Sequence, residues 1–336
     1  MNYIRHRWIL QRKNIIVTHG VSTPCKRLMI FKEPSRIRRP LNSRHPQLSS
    51  ITLWGYSWVT NRIGMNYSSP FDFAALRVVI GAIGLFTIMA ITGRPLRLKH
   101  AKFNVILGLL QTTTFFAFTS WAVMHAGTGK TSVLVFIMPF WTLLLAWIFL
   151  GERIQGLQWV AVSLALCGLV MILAPWKFHG SLIASVLAVL AGILWAVSSV
   201  LLKRFRQDHE FDVFSMTAWQ LAIGAIPLIL LAWSVPSPPI QWTWPFIACL
   251  FFSGFVATAL GWVIWMNILQ VLPAGTASMS TLAIPAISVI GAAWQLNEHP
   301  PANEIQGMLL IAAALGLLSY LSVRQHRSDD PVLGKE

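Results

Sequence analysis

The run Gly127-Thr-Gly129-Lys130-Thr131-Ser132 has the residue types of a phosphate-binding loop: glycine amides, a lysine and two hydroxyls. The full pattern needs a glycine where this chain has Met124, and the loop should follow a buried strand. Here the run opens a long apolar segment instead, so nucleotide chemistry is not expected. Lys130 keeps two readings. It is either a cavity cation that meets a substrate carboxylate, or an end residue that snorkels to the interface.

The other ionisable residues are few. Arg77 follows Pro70 on an apolar segment and is read as structural, with Asp72 as its nearby partner. Glu152 and Glu298 each close an apolar segment, where a carboxylate opposes the helix dipole and calls for a specific partner. No Asp or Glu falls in the middle of any apolar run, which speaks against a buried carboxylate proton relay and leaves exchange, facilitated diffusion or coupling through His125. Cys25, Cys167 and Cys249 are too far apart for a metal or redox pair. No metal, no cofactor and no enzymatic activity are expected.

Tryptophan, at 16 residues, is the other unusual signal. Trp176, Trp233, Trp242 and Trp244 fall at segment ends and read as interfacial anchors. Trp54, Trp121, Trp195, Trp219, Trp262 and Trp265 fall inside segments, near Ser57, Gln111, Ser198, Gln220 and Asn267. Aromatic rings with a few polar groups suit a cavity for a small amphipathic ligand. The candidate cavity set is therefore Trp54, Ser57, Gln111, Trp121, His125, Lys130, Trp195, Ser198, Trp219, Gln220, Trp265, Asn267 and Ser278. Pro139 and Pro285 lie within apolar segments, where proline removes a backbone bond and kinks a helix. With Arg77, Glu152 and Glu298 they form the structural or gating set.

These residues need apolar scaffolding to position them. Of 336 residues 55% are hydrophobic and only 11% charged, with a mean hydropathy of +0.63. Apolar segments run at 70–92, 103–125, 128–149, 157–174, 181–201, 213–234, 243–265, 273–295 and 304–323, preceded by a short one at 51–64. A bilayer core takes roughly 20 residues of helix, and these runs lack the alternation of a barrel. The expected fold is an all-α integral membrane bundle of ten transmembrane helices. The first is doubtful, because its leading half is missing.

Residues 1–50 hold eleven of the 26 Lys/Arg. They read as a basic, disordered extension, best explained by a start codon assigned too far upstream. The remaining basic residues concentrate in alternate loops: Arg94, Arg97, Lys99 and Lys102, then Arg153, then Lys203, Arg204 and Arg206, then Arg324 and Arg327. The positive-inside rule then puts both termini in the cytoplasm. This placement of charge argues against a nucleic-acid partner.

The two halves resemble each other. Trp54-Gly-Tyr-Ser57-Trp-Val59 is similar to Trp195-Ala-Val-Ser198-Ser-Val200, and Ile80-Gly-Ala-Ile83 recurs as Ile223-Gly-Ala-Ile226. Gly129, Ser132, Pro139 and Glu152 recur as Gly275, Ser278, Pro285 and Glu298, all displaced by 146 residues. An odd number of helices per half inverts the second half, as in secondary transporters that bind substrate between inverted repeats. The expected repeats are 51–174 and 181–323, with 324–336 as a cytoplasmic tail.

Trp54-Gly-Tyr-Ser-Trp-Val, Pro70-Phe-Asp-Phe-Ala-Ala-Leu-Arg77 and the segment from Met138-Pro139 to Gly151-Glu152-Arg153 resemble the drug/metabolite transporter superfamily, EamA branch. The second copy, Ile284-Pro285 to Asn297-Glu298, has Asn for Gly and His for Arg. The resemblance implies a multi-pass permease of the bacterial inner membrane, exporting or exchanging small metabolites such as amino acids. Sugar- or lipid-linked cargo, or a membrane scaffold without transport, are the alternatives. Expected partners are a small-molecule substrate and membrane lipids, with a homodimer left open.

Overall fold

A computed structural model describes residues 44–151, 154, 156–173, 182–209, 211–264 and 283–328, and among these there is no strand. The helices are α1 (Arg44–Gly64), α2 (Pro70–Ile91), α3 (Ala101–Ala126) and α4 (Thr128–Phe149). They continue with α5 (Leu157–Leu173), α6 (Leu182–Asp208), α7 (Val213–Ser234), α8 (Trp244–Ile264), α9 (Ala283–Gln295) and α10 (Ala302–Ser328). Seven of these described helices, α2, α3, α4, α6, α7, α8 and α10, are long and apolar enough to cross a membrane, while α5 and α9 are shorter apolar helices. Their outward faces carry large apolar side chains such as Ile148, Phe149, Ile183, Ile226 and Leu309, a surface suited to lipid and not to water.

The first helix departs from expectation. It begins at Arg44 and runs for 21 residues, about 31 Å at the α-helical rise, so the helix extends ahead of the apolar run at 51–64. It is not among the described helices apolar enough to cross a membrane. The extension is polar, and hydropathy alone therefore misses it.

Local signals set the helix starts. Ser69 caps α2 by accepting the Asp72 amide while donating to the Asp72 carboxylate at 2.7 Å, and Pro70 fills the first position. Asp212 caps α7 through the Ser215 amide at 2.8 Å. Polar contacts then tie loops together at the two ends of the bundle. At one end Gln241 donates its amide to the Tyr67 carbonyl, and Ser237 donates to Asp72 at 3.1 Å. At the other, Arg94 pairs with Asp212 at 3.1 Å and covers the Phe214 ring, while the Trp219 indole N–H reaches the Leu96 carbonyl.

Two helices change their winding. Gly108–Thr114 of α3 and Phe252–Leu260 of α8 are π-helical, and a displacement of 146 residues carries Gly108–Thr114 onto Gly254–Leu260. Each π segment faces a glycine across a tight seam. A Cβ on Gly81 of α2 would fall 2.6 Å from Thr258 and 3.3 Å from the Gly254 carbonyl. One on Gly224 of α7 would fall 2.5 Å from Thr112 and 2.6 Å from the Gly108 carbonyl. Small residues let the backbones of α2 and α8, and of α7 and α3, approach in the same manner.

Candidate functional site

A cavity of about 250 Å³ lies where α1, α2, α3 and α4 meet α6, α8 and α9. Its α1 wall is Trp54, Ser57, Trp58, Asn61 and Met65, and its α3 wall is Phe115, Phe116, Thr119, Ser120 and Val123. Both sets follow helical spacing, so each is one face of a helix. The aromatic wall is continuous. Trp54 meets Trp262 edge-on at 6.2 Å, Trp262 stacks on Trp195 at 6.5 Å, and Trp195 lies 4.7 Å from Phe115. The Trp54 indole N–H donates to the Ala257 carbonyl at 2.8 Å, which fixes the ring against the π segment of α8.

The π segment also anchors Arg77. Its Nε donates to the Ser253 carbonyl and to Thr258 Oγ1, both at 3.3 Å, and the guanidinium lies 4.9 Å from the Phe116 ring centre. A π turn shifts the backbone pairing, and Thr258 Oγ1 also donates to that same Ser253 carbonyl, at 2.7 Å. Arg77 thus lines the cavity and does not pair with Asp72, whose carboxylate is taken by Ser69 and Ser237. The expectation of an Arg77–Asp72 pair is corrected by that prior commitment.

Of the residues expected in the cavity, Trp54, Ser57 and Trp195 line it. Lys130 does not. Its Nζ lies 2.6 Å from Glu304 of α10, with side chains only 9% and 16% exposed, so it is neither a cavity cation nor a snorkelling one. Trp121 is sandwiched between Phe71 and His125, whose Nδ1 lies 2.9 Å from the Trp121 carbonyl. Trp219 packs edge-on against Phe86, away from the cavity. Gln111 and Gln220 pair with each other at 3.1 Å on the α3–α7 seam. Ser198 turns back to the Trp195 carbonyl. Trp265, Asn267, Ser278 and Glu152 lie outside the described residues.

The structural set finds definite surroundings. Glu298, just beyond α9, accepts the Thr128 amide at 2.8 Å and the Gly129 amide at 3.0 Å, so a carboxylate sits on the positive end of α4. Gly127 makes room for it with φ at +90°. The α4 helix is interrupted at Phe136 and Ile137 and resumes at Met138, with Pro139 in its first turn. Pro285 occupies the first turn of α9.

Asn61, Thr119, Ser120 and Thr258 were missed. The spacing Trp54, Ser57, Trp58, Asn61 is itself a helical face that joins aromatic to polar residues, and that was the available signal. The roles of Thr258 and Arg77 depend on a change of helical winding that residue spacing does not announce.

An all-helical bundle with an apolar exterior and an aromatic cavity holding a few polar groups has the build of a membrane carrier. The sequence model of the EamA-like transporter family matches residues 48–174 and again 182–320, and the chain belongs to that family. It is 28% identical over 283 residues to "Uncharacterized transporter YoaV" of Bacillus subtilis, covering 82% of this chain and 96% of that one. It is 25% identical over 278 residues to a "Probable amino-acid metabolite efflux pump" of Escherichia coli, covering 79% and 90%. A "Probable terminal-alkyne amino-acid exporter" of Streptantibioticus cattleyicolor is 22% identical, covering 82% and 91%. The crystal structure of another protein superposes with a TM-score of 0.59 at 17% identity over 84% of this chain and 98% of the other, a likeness of fold alone.

Proposed function

We propose that this transporter is a secondary carrier that exports small organic metabolites, amino acids or related compounds, across the inner membrane. It works by alternating access between two inverted repeats, 51–174 and 181–323, with both termini in the cytoplasm. The observation that carries the reading is the cavity, which draws its wall from both repeats and mixes aromatic rings with amide, hydroxyl and guanidinium groups. A volume of about 250 Å³ suits a molecule the size of an amino acid.

Inversion is supported by the paired π segments and the paired glycine seams. Orientation is supported by charge: Arg94, Arg97, Lys99 and Lys102 gather at the end where α2 hands over to α3. The interruption of α4 ahead of Pro139 is a natural flexing point for such a cycle. The names of the relatives, with their amino-acid cargo, point the same way.

The test is counterflow in proteoliposomes preloaded with unlabelled amino acids or their derivatives, read as uptake of the radiolabelled compound. Uptake of one or a few compounds, abolished by Trp195→Ala in a protein that still elutes as a folded species, is the expected result. No counterflow from folded wild-type protein across the panel would sink this reading.

A further inference from the structure

The cavity holds a cation, Arg77, that has no carboxylate partner among the described residues. Among the described residues Arg77 donates hydrogen bonds through Nε alone and its guanidinium faces the Phe116 ring; neither terminal nitrogen has an acceptor, and no carboxylate lies within 4.0 Å. Asp72 is committed to serines, Asp212 to Arg94, Glu298 to the α4 amides and Glu304 to Lys130. Residues 265–282 contain no ionisable side chain that could serve instead. A guanidinium in a low-dielectric interior is costly without an anion.

Two further observations point to a ligand. The Asn61 side chain, 9% exposed and lining the same cavity, has an Oδ1 sealed from solvent with no hydrogen-bond partner. Leaving such an acceptor unpaired is costly, and a rotation of the amide toward the cavity that Asn61 lines would let it accept an N–H or O–H from a molecule there. On the matching α3–α7 seam, the residue one turn before Gly224 is Gln220, and its amide is satisfied by Gln111 and Thr112. One turn before Gly81 stands Arg77. The two seams repeat each other, yet one is closed by neutral partners and the other is left open and charged.

We propose that Arg77 seats the carboxylate of the cargo. The cargo is an apolar monocarboxylate with a neutral N–H or O–H donor for Asn61, of the class of N-acylated amino acids and 2-hydroxy acids. A free ammonium group would meet no counter-charge in the described wall and would be repelled by Arg77. The apolar body lies among Trp54, Trp195, Trp262 and Phe115. This assignment names the cargo of the carrier proposed above, but its binding step does not depend on transport.

The test is calorimetric titration of the purified full-length chain in nanodiscs with N-acetyl-L-phenylalanine, L-phenylalanine and L-phenylalaninamide. The expected order of affinity is N-acetyl acid, then zwitterion, then amide. Arg77→Gln should weaken the N-acetyl acid by on the order of tenfold or more while leaving the amide unchanged. Arg77→Lys should retain part of the preference. Asn61→Leu should weaken the N-acetyl acid without changing the response to Arg77→Lys.

An amide that binds as well as the acid, a zwitterion that binds better than the N-acetyl acid, or no heat from any carboxylate would each overturn the assignment. Carboxylate binding without counterflow would keep the seat and remove the carrier reading. Counterflow confined to uncharged or cationic compounds would do the reverse.

Discussion

At the scale of single residues, the charged side chains separate into those paired across the bundle and Arg77, which has no carboxylate partner among the described residues. Lys130 and Glu304 are both nearly sealed, and they join α4 to α10. Removing one partner strands the other charge, at a cost on the order of 3 kcal/mol. Lys130→Ala and Glu304→Ala should each lower the melting temperature in detergent, and the double variant should recover a large part of that loss. A double variant as unstable as the sum of the two single ones would show that the pair is not coupled. Ligand affinity, measured on whichever variants fold, should not change, because the pair lies outside the cavity wall. The sequence identified Lys130 as an unusual cation, but its partner comes from 174 residues away, and spacing carries no information about such a distance.

At the scale of elements, helix positions were legible and windings were not. Apolar runs of near-bilayer length marked α2, α3, α4, α6, α7, α8 and α10, because lipid requires such runs. The polar first half of α1 escaped the same criterion. The π segments were invisible, because residue preference does not separate π from α winding; each lies against a close glycine seam. Of the cavity, Trp54, Ser57 and Trp195 could be found as aromatic and polar neighbours, whereas Arg77 required knowing that Asp72 was already occupied. The seams are exposed to a direct test. Gly81→Val and Gly224→Val should each destabilise the bundle by about 1–3 kcal/mol through overpacking. Gly316→Ala, inside a helix and with open space around its would-be Cβ, should leave stability unchanged or raise it by up to about 1 kcal/mol. Melting temperatures of the purified variants give the comparison, and equal stability of all three would refute the tight seams.

At the scale of the molecule, the ends of the bundle should face different compartments. Asn66 is exposed in the turn between α1 and α2, and Lys99 is exposed ahead of α3. In intact cells, a membrane-impermeant maleimide should label Asn66→Cys and spare Lys99→Cys, each in a background with the native cysteines replaced. Permeabilised cells should show both labelled. The opposite pattern in intact cells would reverse the proposed orientation.

Arg77 also has a bearing on bioenergetics. With a monoanion bound, the proposed seat is electrically neutral; empty, it carries a full positive charge. Moving one elementary charge through the whole membrane potential is worth about 2.3 kcal/mol per 100 mV. In the proposed alternating-access cycle, an empty carrier resetting its cavity would feel whatever part of that field Arg77 traverses, while a loaded one would not. Under that proposal voltage acts on the unladen half of the cycle, so an imposed potential should alter net flux and leave one-for-one exchange of cargo almost untouched.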